Sequence, residues 1–170
     1  MKILVCYFSG TGNTKKVAES IKEGLEGQEV DLQKIKDVDP AEIGKYDLVI
    51  LGSGIYGGMV SKNIFTMMKK ITEFPPKVAF FNTHSSPMSY SKKAYKRIIK
   101  KFETEGSKVV GNFECIGENI GVPKEVQENM LSNLPPEEQE KQRKRLEEIK
   151  GRPNAEDLEN AKEFAKSIIE

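Results

Sequence analysis

Short apolar runs alternate with amphipathic helical patterns along this chain of 170 residues. The runs at 2–8, 47–53 and 77–83 are continuous and rich in β-branched and aromatic residues, as expected for strands buried on both faces. A run at 29–35 alternates like an edge strand, and another covers 108–117. This alternation predicts an α/β protein with a doubly wound, five-stranded parallel sheet and helices on both of its faces.

Apolar residues at helical spacing predict helices in the segments between these strands. A residue every fourth position from Val17 to Leu25 indicates a first helix, which Gly27 ends. Another helix is expected over 61–73, before a pair of prolines. Asn154 is expected to cap the last helix, because acidic residues follow it in the first turn.

The length suits a single domain over residues 1–170, interrupted by a polar segment at about 118–152. Pro135 and Pro136, followed by acidic residues, predict a helix start inside this segment. Its charged composition is typical of a solvated helical insertion. A lid over a site, or a contact between subunits, is the alternative interpretation.

Charge and cysteine content exclude several classes of function. The net charge of +1 creates no field that would attract nucleic acid. No apolar stretch is long enough to span a membrane. Cys6 and Cys115 form neither a disulfide framework nor a metal-binding motif, and one histidine adds no further ligands. We therefore expect a cytoplasmic protein without nucleic-acid partner, membrane span or metal.

Doubly wound sheets bind ligands outside the carboxyl ends of their strands. The first such end carries the sequence FSGTGNT, which joins a strand to a helix. Helix N-termini favour anions, glycines let the backbone approach closely, and hydroxyl and amide groups add neutral donors. The sequence therefore predicts a phosphate site formed by Ser9, Gly10, Thr11, Gly12, Asn13 and Thr14.

Other motifs fit this loop less well. The triphosphatase pattern G-x-x-x-x-G-K-[ST] and the hydrolase pattern G-x-S-x-G are both missing from it. The sequence GSGIYGG, after the 47–53 strand, does contain G-x-G-x-x-G. However, no helical pattern opens at Gly57 and the next strand does not end in an acidic residue, which argues against a dinucleotide site.

The sequence YFSGTGNTKKVA resembles the phosphate-binding loop of flavodoxins, with the pattern [ST]-x-T-G-x-T met by Ser9, Thr11, Gly12 and Thr14. YDLVILGSGIYGG, FFNTHSS and GRPNAEDLENAKEFAKSI are similar to later elements of that family and occur in the same order. The resemblance covers most of the chain. It implies the flavodoxin-like strand order 2-1-3-4-5 and non-covalently bound FMN.

The resemblance also implies roles for two further loops. Tyr56 would cover one face of the flavin and the Gly57 peptide would rotate to bond to its N5 atom, within a loop of Gly54, Ile55, Tyr56, Gly57 and Gly58. Backbone N–H groups of a third loop would meet the pyrimidine oxygens; this loop comprises Asn82, Thr83, His84, Ser85 and Ser86. His84 is a candidate for proton donation or ring stacking, and an ordinary loop histidine is the alternative.

Three functions are compatible with these patterns. The first is electron transfer through FMN to a redox partner protein or a small-molecule acceptor. The second is an FMN-dependent oxidoreductase that acts on a quinone or another small substrate, including porphyrinogen oxidase-like activity. The third is a regulator that binds a phosphate ligand without redox chemistry. Carriers of the family are usually acidic, whereas this chain carries a net charge of +1.

Overall fold

The computed structural model describes residues 1–90 and 93–170. Five parallel strands form one sheet in the order β2-β1-β3-β5-β6. The strands are β1 (Lys2–Phe8), β2 (Glu29–Lys34), β3 (Leu48–Tyr56), β5 (Lys77–His84) and β6 (Lys108–Ile116). The predicted doubly wound fold is confirmed, since these five strands follow the order 2-1-3-4-5 when only they are numbered.

A sixth strand, β4 (Met59–Val60), was not predicted from the sequence. It pairs antiparallel with the end of β3, through Ile55 with Val60 and Tyr56 with Met59. Gly57 and Gly58 connect the two strands with φ angles of +59° and +80°. Positive φ at both central residues is the signature of a type I′ hairpin turn, which explains two consecutive glycines here. β3 therefore continues beyond the predicted end at 53.

Helices cover both faces of the sheet. They are α1 (Asn13–Gly24), α2 (Lys62–Met68), α3 (Lys96–Thr104), α4 (Lys124–Ser132), α5 (Pro136–Ile149) and α6 (Ala155–Ser167). Two short 3₁₀ turns, Ile35–Asp37 and Pro40–Lys45, lead from β2 to β3. α1 ends at Gly24 rather than at Gly27, and α2 is shorter than the predicted 61–73.

The core divides into two layers separated by the sheet. α1 and α6 pack on one face around Val17, Ile21 and Ala161, and α2 and α3 pack on the other around Ile64 and Phe102. Burial of apolar side chains at roughly 25 cal/mol per Å² is the main force that holds these layers together. The layers fix the carboxyl ends of β1, β3, β5 and β6 along one edge of the sheet.

Close packing explains Gly24 at the end of α1. A Cβ atom at this position would lie 2.5 Å from the backbone oxygen of Lys162 on α6. α6 itself begins with the predicted cap, because the Asn154 side chain accepts from Asp157 N–H while Asp157 accepts from Asn154 N–H. Arg152 donates to both oxygens of the same Asp157 carboxylate. The hydrogen bonds to Asp157 raise the pKa of Arg152 above its ordinary value.

The two outer strands differ from the central ones. β2 is only half-buried and carries charged residues at both ends, Glu29 and Lys34. In β6 the register shifts where Val78 and Ala79 of β5 pair with Val109 and Gly111, so the ladder contains a bulge. The central strands β1, β3 and β5 are almost fully buried, as their continuous apolar runs predicted.

Residues 118–152 contain two of the helices, α4 and α5. α5 begins at Pro136, directly after Pro135, as the sequence predicted. Leu131 and Ile149 are the buried residues of these helices, and the remaining surface is largely polar and exposed. The predicted helical content is therefore present, while the assignment of residues 1–170 to a single domain stays a prediction.

Candidate functional site

Members of all three predicted loops meet in one cavity beside the carboxyl ends of the strands. Its volume is about 100 Å³. The lining residues are Thr11, Asn13, Thr14, Gly54, Ile55, Tyr56, Thr83, His84, Ser85, Gly117, Glu118 and Asn119. The sheet order explains this meeting, because β1, β3, β5 and β6 are consecutive neighbours and their loops leave the same edge.

The first loop presents backbone donors at the start of α1. Gly12 is the N-cap residue and adopts a φ of +99°, which favours glycine. The Ser9 hydroxyl accepts from the N–H groups of Gly12 and Lys15, at 3.1 and 3.3 Å. Within the described residues, the N–H groups of Thr11, Asn13 and Thr14 donate to no protein acceptor. These donors, together with the helix dipole, fit an anionic oxygen group.

The side chains of Asn13 and Thr14 bond to other loops. Asn13 Nδ2 donates to the backbone oxygen of Glu118 at 2.8 Å, in the loop after β6. The hydroxyl groups of Thr14 and Thr83 share a buried hydrogen bond of 2.8 Å. Asn13 and Thr14 were predicted as phosphate donors through their side chains as well as their backbones. In the structure the side chains of Asn13 and Thr14 hold the first loop against two neighbouring loops, and their role as phosphate donors stays a prediction.

Tyr56 of the second loop lies across the first loop. Its hydroxyl accepts from the N–H of Gly10 at 3.1 Å, and its ring meets the ring of Phe8 edge-on at 5.8 Å. A Cβ atom on Gly54 would lie 2.7 Å from this hydroxyl, so the contact requires glycine there. The side chain is nevertheless 46% exposed. An exposed aromatic ring beside a cavity is available to stack on a planar ligand.

His84 is turned toward protein groups. Its Nδ1 lies 2.8 Å from the backbone oxygen of Ser86, and its Nε2 lies 3.7 Å from a carboxylate oxygen of Glu114. The ring also packs edge-on against Tyr90, with centroids 5.4 Å apart. The imidazole is thus largely buried against the protein, at the wall of the cavity. Its role as a proton donor or stacking group stays a prediction.

The remaining predicted residues lie near this cavity without lining it. Asn82 is fully buried in register with Ser53 and Glu114. Both polar atoms of its side chain have no hydrogen-bond partner among residues 1–90 and 93–170. Gly57 and Gly58 form the hairpin turn described above. Four further predicted residues belong to the same loops but do not line this cavity: Ser9, Gly10, Gly12 and Ser86. Ser9 and Gly12 line an adjoining cavity.

The adjoining cavity, of about 290 Å³, flanks the first loop. Lys15, Lys34 and Lys36 line it beside Ser9 and Gly12. Although FSGTGNT itself contains no basic residue, Lys15 follows it directly, and Lys34 and Lys36 reach its vicinity from the end of β2 and the turn after it. Their charge adds to the helix dipole in favouring an anion at this end of the site.

Sequence analysis missed two contributions to the site. Residues of the loop after β6, from Gly117 to Asn119, line the cavity, and the predicted strand end at this loop was the available signal. Arg145, on α5 of the insertion, reaches the third loop. Its Nε and Nη2 groups donate to the backbone oxygen of Ser85 at 3.2 and 3.1 Å. Nothing in the polar run around Arg145 indicated this contact.

A larger cavity of about 650 Å³ lies between the insertion helices α4 and α5 and the loop before them. Ile120, Val122 and Leu146 contribute apolar surface to it. Glu118 and Asn119 line both this cavity and the smaller one between the three loops. The two cavities are therefore neighbours, and the insertion forms a wall of the larger one.

Both cysteine thiols are buried and unpaired. Burial raises the pKa of the Cys6 and Cys115 thiols to about 12, so both stay protonated at neutral pH. The described parts of the chain bring together no group of three His, Cys, Asp or Glu residues that could hold a metal ion. Among the same residues, no helix combines the length and apolar character needed to cross a bilayer.

Comparison with known proteins agrees with this geometry. A family model described as a flavodoxin domain matches residues 4–166. An uncharacterized protein of Methanocaldococcus jannaschii is 33% identical over 99% of each chain. The flavodoxin-like domain-containing protein BilS of Clostridioides difficile is 30% identical over 99% of this chain and 97% of its own.

The fold is shared with solved flavodoxins. Oxidised flavodoxin 2 from Bacillus cereus superimposes with a TM-score of 0.68 at 23% sequence identity, covering 99% of this chain and 98% of that one. Similarity at this level of identity concerns the fold. Taken with the match over residues 4–166, it shows that the chain belongs to the flavodoxin family.

Proposed function

We propose that this protein binds FMN non-covalently and transfers electrons between redox partners. The observation that carries the proposal is that the N–H groups of Thr11, Asn13 and Thr14 donate to no acceptor among the described residues, in a cavity lined also by the exposed Tyr56. A set of phosphate donors and an aromatic ring then line the same cavity. FMN carries a phosphate at one end and a planar ring at the other, so the residues present fit this cofactor.

At the phosphate end, the first loop binds and orients. The α1 N-terminus supplies its backbone donors, and Lys15, Lys34 and Lys36 add positive charge nearby. The N–H of Gly10 is occupied by Tyr56 and becomes an additional donor when that side chain rotates away. The hydrogen bonds of Asn13 and Thr14 to neighbouring loops hold this loop in place before FMN binds. Binding would therefore cost little conformational entropy in this loop.

At the ring end, Tyr56 would cover one face and the third loop would meet the pyrimidine edge. FMN, when bound, supplies reversible uptake of electrons. Tyr56 would exclude water from one face of the ring, and Thr83, His84 and Ser85 form part of the cavity wall. In this assignment the acceptor is a partner protein or a small molecule that reaches the exposed edge of the site.

The first test is the visible absorption spectrum of the purified protein before and after addition of FMN. We expect a bound-flavin spectrum and quenched flavin fluorescence at one equivalent. Riboflavin, which lacks the phosphate, is the matched control and should bind much more weakly. Absence of binding with excess FMN would overturn the proposal and favour a regulator that binds another phosphate ligand.

A second candidate is an FMN-dependent oxidoreductase that acts on a quinone or another small substrate, including a porphyrinogen. The larger cavity favours it, because its volume of about 650 Å³ is in the range of small-molecule sites and it adjoins the candidate flavin site at Glu118 and Asn119. Turnover of a quinone with a reduced nicotinamide would support the enzyme. Reduction only by another protein, without such turnover, would support the carrier.

A further inference from the structure

The insertion contacts the candidate flavin site through Arg145 of α5. The guanidinium donates to the backbone oxygen of Ser85 from both Nε and Nη2, across 60 residues of chain. Its side chain is only 18% exposed, although the surrounding helix is largely solvated. Two donors on one acceptor fix both the arginine and the third loop, and Ser85 itself lines the cavity.

This contact places a positive charge behind the cavity wall. The Ser85 carbonyl belongs to the same peptide group as the N–H of Ser86, so a bound guanidinium polarises that N–H and makes it a stronger donor. Partial burial reduces the screening that an exposed charge would experience. Glu148 approaches Nη1 at 3.5 Å, but its side chain is 67% exposed and its charge is therefore well screened.

We propose that Arg145 is a positioning residue that holds the third loop and favours the reduced form of the bound flavin over the oxidised form. The inference rests on the proposed binding of FMN. Uptake of two electrons and one proton by the flavin ring leaves one negative charge on it. A fixed positive charge near the pyrimidine edge stabilises that product more than the neutral starting ring.

The test compares the affinities of the wild-type protein and Arg145→Gln for oxidised FMN and for FMN reduced by dithionite, which supplies the electrons while water supplies the proton. We expect Arg145→Gln to weaken binding of reduced FMN about tenfold more than binding of oxidised FMN. For a two-electron couple, that change in the ratio corresponds to a potential about 30 mV lower. A spectroelectrochemical titration measures the same shift independently.

Two variants separate charge from structure. Arg145→Lys keeps the charge and should retain most of the wild-type ratio of the two affinities. Lys144→Gln removes a neighbouring charge whose side chain is 73% exposed and paired with Glu140, and it should leave the ratio unchanged. If Arg145→Gln cannot hold oxidised FMN, Arg145→Met, which keeps the apolar stem, replaces it in the comparison.

The outcomes distinguish this inference from the proposed function. A wild-type protein that binds neither form of FMN overturns the proposed function itself. A wild-type protein that binds FMN, with an equal loss of both affinities in Arg145→Gln, shows a merely structural contact and overturns only the role assigned to Arg145. A selective loss of reduced FMN that Arg145→Lys restores supports it.

Discussion

The hydroxyl of Tyr56 accepts a hydrogen bond of 3.1 Å from the backbone N–H of Gly10 and so closes the second loop over the first. These residues lie 46 positions apart in the chain, and they meet because β1 and β3 are adjacent in the sheet. In the proposed site, this one side chain would offer a ring face to the flavin, while its hydroxyl occupies the Gly10 donor of the first loop. The two contributions have opposite consequences for FMN binding and can be separated.

Tyr56→Ala should weaken FMN binding by about 1–3 kcal/mol, the range found for aromatic stacking on nucleic-acid bases. Tyr56→Phe should bind FMN at least as tightly as the wild-type protein, because it keeps the ring and releases the Gly10 N–H. Titration of flavin fluorescence gives both dissociation constants. If both variants lose the same affinity, the hydroxyl rather than the ring makes the important contact. If Tyr56→Ala binds FMN as tightly as the wild-type protein does, Tyr56 is not part of the binding site.

Thr11→Asp should abolish FMN binding, because it places a carboxylate at the predicted phosphate position in the cavity lining. Thr104→Asp is the matched control, since Thr104 is exposed on α3 close to the opposite edge of the sheet. Isothermal titration calorimetry with FMN measures the affinity of both variants. Weak riboflavin binding should survive in Thr11→Asp, because riboflavin carries no phosphate. Undiminished FMN affinity in this variant means that the phosphate lies elsewhere.

Gly52→Ala should lower the free energy of unfolding by about 1–3 kcal/mol, the usual cost of overpacking a core. Gly52 pairs with Phe81 across β3 and β5, and an added Cβ atom would lie 2.0 Å from the Phe81 ring. In the Gly52→Ala, Phe81→Leu double variant, the loss should be smaller than the sum of the two single losses, because the smaller side chain relieves the overlap. Urea denaturation provides these values. Simple additivity would refute the steric explanation.

Alkaline pH should destabilise the protein through its two thiols. Burial raises the pKa of Cys6 and Cys115 from 9.0 to about 12. Below pH 9 the thiols are protonated in the folded and unfolded states alike, so their contribution to stability is fully present. As the pH rises from 9 toward 12, only the unfolded state ionises, and stability falls by up to about 1.4 kcal/mol per pH unit for each thiol.

The measurement for this pH dependence is urea denaturation at pH 8, 9 and 10. A Cys6→Ala, Cys115→Ala double variant should start from a lower stability, because it leaves cavities, and should lose less stability per pH unit. Lysine and tyrosine ionisation is common to both proteins and cancels in the comparison. Equal slopes would assign the loss to groups other than the thiols.

The fold could be predicted because its signals are local and periodic. Continuous apolar runs marked the strands that are buried on both faces, and the order of elements left few possible topologies. β4 escaped prediction because two residues carry no periodicity, although Gly57 and Gly58 indicated a turn. α2 stops at Met68, whereas the prediction extended it to 73, since no local signal marks its end.

The site could be predicted less completely, because its contacts span long separations in sequence. Thr14 bonds to Thr83 across 69 residues, and Asn13 bonds to Glu118 across 105. Sequence analysis assigned Asn13 and Thr14 to the phosphate loop, which stays a prediction, but it could not show the hydrogen bonds of their side chains to distant loops. Arg145 lies in a charged run whose pattern is that of any solvated helix, so only the packing of α5 reveals its contact with Ser85.

The outer strands determine how copies of this protein can associate. β2 presents alternating charges along one margin of the sheet, and the bulge in β6 disturbs the spacing of hydrogen-bonding groups along the other. Neither margin offers a flat, apolar template onto which a strand of another molecule could add. Concentrated solutions should therefore resist amyloid-type aggregation, and we expect contacts between copies to use helices or loops.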